Sequence, residues 1–81
     1  MTATVHLFAA ARDFAGTETV QLELGSRATV LELRTAMSLA FPAMMELIAR
    51  SAIAVNHDYA EDGFTISEGD ELALIPPVSG G

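Results

Sequence analysis

The chain has no cysteine, no tryptophan and no lysine among its 81 residues. Without cysteine there is no disulfide framework, no thiolate nucleophile and no Cys-based metal site. The two histidines, His6 and His57, are too few for a metal site unless carboxylates complete one, so none is expected. Basic residues are scarce: Arg12, Arg27, Arg34 and Arg50 stand against eleven acidic side chains, leaving a net charge of −7. That balance excludes binding a nucleic-acid backbone, which needs clustered Lys and Arg. Long apolar runs are missing too. The most apolar stretch, Leu39 to Ala49, is broken by Pro42 and Glu46, so no membrane span is expected. The N-terminus has no basic n-region, and His6 interrupts its short apolar run, so it does not read as a signal peptide. A cytoplasmic location is expected. Catalytic signatures are equally lacking: no Gly-x-Ser-x-Gly elbow, no Gly-rich phosphate loop, no plausible Ser/His/Asp set. The chain is expected to bind no cofactor and to have no active site of its own.

What is present suits one small domain with a real core, since 51% of the residues are hydrophobic. Thr4 to Ala9 alternates as a strand, with Val5 and Leu7 on one face and His6 and Phe8 on the other. Ala10 to Gly16 reads as a connector that turns at Gly16. Thr19 to Leu24 alternates most cleanly and predicts a strand ending at Gly25-Ser26. Thr29-Val30-Leu31-Glu32 then fits a capping box, and Val30, Leu33, Met37 and Ala40 form one apolar helical stripe that Pro42 stops. Ala43 to Arg50 is a second, short helical segment. Ile53 to Asn56 predicts a strand, and Asn56-His57-Asp58 a turn. Tyr59 to Glu68 reads as turns with a short helical turn, and Glu71 to Ile75 as a last strand that Pro76-Pro77 ends. This order predicts an α+β fold with the helix on one sheet face. It divides the chain into a β-grasp domain over residues 1–75 and an extended, flexible tail over 76–81.

The tail is the one chemically distinctive segment. Pro76-Pro77-Val78-Ser79-Gly80-Gly81 cannot extend a sheet ladder and favours an extended backbone that reaches up to roughly 20 Å from the domain. Two glycines at the tip let a narrow channel close on the backbone, and what arrives at its end is the α-carboxylate of Gly81. A carboxylate is a poor acyl group until its oxygen is made a good leaving group, for example by adenylation with ATP. Because nothing in this chain binds ATP, a partner must supply that step. By alternation Phe8, Ala73 and Ile75 point away from the core, and if the first and last strands are neighbours they form an apolar patch at the tail's root. The acidic residues Glu61, Asp62, Glu68, Asp70 and Glu71 sit at turns and read as a solvated surface, or as one that meets a basic partner. The lack of lysine suits a chain with an activated acyl end, because guanidinium is a far poorer nucleophile than an amine.

Several segments together resemble a known family. Phe8-Ala9-Ala10-Ala11-Arg12-Asp13, the helix start at Thr29, Ala54-Val55-Asn56, and Gly69-Asp70-Glu71 leading into Pro-Pro-Val-Ser-Gly-Gly are similar to the small subunit of molybdopterin synthase, the MoaD-like sulfur carriers. The resemblance implies a ubiquitin-like β-grasp fold with a mixed sheet. It also implies that an E1-like adenylyltransferase uses ATP to adenylate Gly81 and that a sulfurtransferase converts the adenylate to a thiocarboxylate. Pro76, Pro77, Val78, Ser79 and Gly80 would thread a channel in the large synthase subunit, in a heterotetramer of two small and two large subunits. There the sulfur passes to cyclic pyranopterin monophosphate. Phe8, Tyr59 and Ile75 match interface positions of the family, although position 59 is tyrosine where the family carries an aliphatic residue. Three alternatives remain: a sulfur carrier of another pathway such as thiamine thiazole, a ubiquitin-type protein modifier, and a plain β-grasp binding module.

Overall fold

Alternation along Thr2–Leu7 buries Ala3, Val5 and Leu7 and turns Thr2, Thr4 and His6 to the other face. This is β1 of a computed structural model that describes residues 1–78. β2 (Thr19–Glu23) pairs with it antiparallel, with Val5 opposite Val20. Both strands begin or end a residue or two away from the sequence-based bounds, because pairing of Thr2 with Glu23 draws β1 back toward the N-terminus.

The segment between them is not a plain connector. Ala9–Ala15 is a helix, α1, closed by Gly16 at φ 74°, whose N–H donates to the Arg12 carbonyl. Three consecutive alanines favour helix, and a left-handed glycine suits its C-terminus. Only Ala11 is buried, so no apolar stripe marks this helix in the sequence.

α2 (Val30–Ala40) begins with the expected capping box. The Glu32 N–H donates to the Thr29 hydroxyl at 3.2 Å, and the Thr29 N–H donates to the Glu32 carboxylate at 3.4 Å. Val30, Leu33 and Met37 are fully buried, whereas Ala40, at the exposed last turn, leaves the stripe. A 3-10 turn (Pro42–Met44) and α3 (Met45–Arg50) occupy the second helical segment and add Met44 and Ile48 to the core. Arg34 fastens α2 to the end of α3. Its guanidinium donates to the carbonyls of Ile48 and Ser51, both at 2.7 Å, and to Asp62 at 2.9 Å.

β3 (Ala52–Val55), β4 (Asp58–Ala60) and β5 (Leu72–Ile75) complete a five-stranded sheet in the order β2-β1-β5-β3-β4. β1 and β5 run parallel at its centre, with Val5 beside Leu72, and the other pairs are antiparallel. The segment after Asn56 therefore holds a short strand in place of a helical turn. Three residues are too few for alternation to show. The core, including Val5, Leu33, Met37, Ile53, Leu72 and Leu74, lies between one sheet face and the helices, so the protein is an α+β, ubiquitin-like β-grasp. Each large aliphatic buried there contributes roughly 1.5–3 kcal/mol.

Candidate docking surface at the root of the tail

Since one sheet face is covered by the core, the other is left to solvent. Register places His6, Ala73, Ala54 and Tyr59 in a single row across β1, β5, β3 and β4. Along β5, Ala73 and Ile75 share that face by alternation. Phe8 follows the same alternation just beyond β1, in extended backbone at φ −128° as the N-cap of α1, and is 47% exposed. Tyr59 is 76% exposed.

The outcome is a hollow of about 330 Å³ lined by His6, Phe8, Ala54, His57, Tyr59, Glu71, Ala73 and Ile75. Two alanines on the central strands make its floor, and larger side chains on either side make its walls. Phe8, Tyr59 and Ile75 are thus brought together. Alternation alone puts Phe8 and Ile75 on one face, and family resemblance alone points to Tyr59. Alternation along β1 also puts His6 on this face, whereas nothing in the sequence places His57 and Glu71 here, because their positions depend on the β3–β4 turn and on β5's register. Two of the other hollows, of about 600 and 460 Å³, lie around Arg27 and Glu68 and between α2 and α3 beside Asp62, away from Phe8, Tyr59 and Ile75.

The polar edge of the hollow is built by that turn. Asn56 and His57 both have positive φ, 51° and 73°, in a two-residue connection between Val55 and Asp58. The Asn56 amide clasps the segment entering β5: Oδ1 accepts from the Glu71 N–H at 2.9 Å and Nδ2 donates to Asp70 at 3.0 Å. His57 Nε2 lies 3.3 Å from a Glu71 carboxylate oxygen.

β1 and β5 end side by side, so the chain leaves the sheet next to Phe8. Pro76 is still buried, while Pro77 and Val78 are exposed, Val78 at 93%. Ser79, Gly80 and Gly81, on which the tail's expected chemistry rests, lie outside the described residues. Among the described residues no group of three or more His, Asp or Glu is placed to hold a metal ion, and no helix is long and apolar enough to cross a membrane. The hollow is shaped to take an apolar side chain, with the His57–Glu71 pair at its edge.

Comparison with known proteins bears on what such a surface serves. A model of the ThiS family matches residues 5–81. The molybdopterin synthase sulfur carrier subunit of Arabidopsis thaliana is 36% identical over 77 residues, covering 95% of this chain and 80% of the relative. The small archaeal modifier protein 1 of Haloferax volcanii is 37% identical over 83 residues, covering 93% and 95% of the two chains. A crystal structure of that archaeal protein superposes with a TM-score of 0.87 over the full length of both chains, at 32% identity. A complex of subunits 1 and 2 of molybdopterin-converting factor from Helicobacter pylori shares the fold, with a TM-score of 0.70 over all of both chains at 24% identity. With the family model matching residues 5–81 and a relative 36% identical over 77 residues, the chain belongs to the ThiS/MoaD family of ubiquitin-like sulfur carriers.

Proposed function

We propose that this chain is the sulfur-carrier subunit of a molybdopterin synthase and that Gly81 carries the sulfur. One observation carries the reading furthest: an outward-facing apolar hollow lies beside the strand end from which Pro77 and Val78 depart. A partner that grips the hollow is then positioned to receive the tail. The relative from Arabidopsis thaliana, named as such a subunit, supports the same assignment.

In this scheme a carboxylate oxygen of Gly81 attacks the α-phosphorus of ATP on an E1-like enzyme and expels pyrophosphate. A sulfurtransferase delivers a sulfur nucleophile that displaces AMP, leaving a thiocarboxylate. Pro76 to Gly80 thread the large synthase subunit, the sulfur bonds to cyclic pyranopterin monophosphate, and water cleaves the acyl–sulfur bond to return Gly81 to a carboxylate. Phe8, Tyr59 and Ile75 hold the partner meanwhile, each anchor that becomes buried contributing roughly 1.5–3 kcal/mol.

The similarity to an archaeal modifier protein favours a second reading, in which the activated Gly81 is joined to lysines of other proteins. Reconstitution separates the two. The charged chain, mixed with the large subunit and cyclic pyranopterin monophosphate, is expected to yield the dithiolene product. Lysine conjugates in its place would establish the modifier reading.

A further inference from the structure

The hairpin between β3 and β4 carries an unusual residue. A two-residue turn with both central residues at positive φ strongly prefers Asn-Gly, because glycine alone enters that region without a Cβ penalty. Position 56 fits, being asparagine, but position 57, at φ 73°, is histidine. Its side chain does little for the fold. It is 81% exposed, and among the described residues its one polar contact is the 3.3 Å pair with Glu71, itself 54% exposed. Pairs this open to solvent contribute little to stability. Both side chains do, however, line the hollow that holds Phe8, Tyr59 and Ile75. Residues held in sparsely populated backbone regions concentrate where binding needs them.

We propose that His57 and Glu71 form the polar edge of the docking surface and hold a basic side chain, an arginine by preference, from the partner that fills the hollow. This deepens the proposed function and rests on it. The occupant follows from charge. The chain carries −7, Asp58 follows His57 at the start of β4, Asp70 and Glu71 lie where Asn56 clasps the segment entering β5, and there is no Lys or Arg between residues 51 and 78. A guanidinium can lie flat against an imidazole while donating to a carboxylate beside it, a geometry an ammonium does not match. In its neutral form, an imidazole whose Nε2–H donates to Glu71 keeps Nδ1 as an acceptor for a second N–H.

The test measures affinity for the large synthase subunit at several salt concentrations, with melting temperatures alongside. His57→Gly should weaken binding about tenfold, with a melting temperature no lower than the parent's. Glu71→Gln, which keeps its shape and its backbone bonds to Asn56, should weaken binding similarly and flatten its salt dependence. If both variants bind within twofold of the parent while Phe8→Asp does not bind, this inference is overturned and the proposed function stands. If Phe8→Asp binds as the parent does, the docking reading itself fails and takes the inference with it. A fall of several degrees in the melting temperature of His57→Gly would assign the histidine to the fold and also overturn the inference.

Discussion

Replacing Phe8 with aspartate is the sharpest test of the docking surface, because it should separate binding from folding. A phenylalanine presents about 200 Å² of surface, of which roughly half is open here, so a partner can cover about 100 Å² more. At about 25 cal/mol per Å² this corresponds to ~2.5 kcal/mol, or nearly a hundredfold in affinity. A buried, unpaired carboxylate would add to the loss. The fold should not suffer. Phe8 is the N-cap of α1 and makes no side-chain cap hydrogen bond, and aspartate is among the best residues at that position. Its carbonyl, which accepts from the Ala11 N–H at 3.1 Å, is untouched by the change. Titration calorimetry against the large synthase subunit, paired with a thermal melt followed by circular dichroism, reads both quantities. Affinity within threefold of the parent would refute the assignment of this face. A melting temperature lowered by ten degrees or more would show that the ring serves the core.

Two further predictions concern other parts of the molecule. Arg34→Ala removes the hydrogen bonds that fasten α2 to the end of α3, and charge-assisted bonds contribute roughly 1.5–3 kcal/mol each, so unfolding in urea should reveal a loss of about 3 kcal/mol with docking affinity retained in the folded fraction. Gly80→Trp should block sulfur transfer by failing to pass the partner's channel, while the melting temperature and the adenylation of Gly81 by the activating enzyme are read separately. An unimpeded rate of pterin sulfuration by this variant would remove the reason for a bare glycine there.

Much of this architecture is readable from residue order, for local physical reasons. The capping box at Thr29 and the Val30, Leu33, Met37 spacing are complete within nine residues, so they specify α2 without reference to the rest of the chain. Alternation in β1 and β5 likewise fixes which side chains face away from the core, and this put Phe8, Ala73 and Ile75 on one face. What escaped depends on distant pairing or on weak burial. α1 buries a single alanine, so its periodicity is silent even though its composition favours helix. β4 has three residues and exists through its pairing with β3, and with it come the positions of Tyr59 and His57 in the hollow. The strained turn at His57 is invisible to patterns because sequence reports a residue type and not its φ.

The proposed seat of function is the carboxylate of Gly81, and intact mass measures it directly. The parent chain and a variant lacking Gly81 would each be incubated with the E1-like enzyme, ATP and a sulfur source. The parent should gain the mass that separates one sulfur from one oxygen, and the variant should gain nothing. Equal gains in both would place the sulfur elsewhere and contradict the claim.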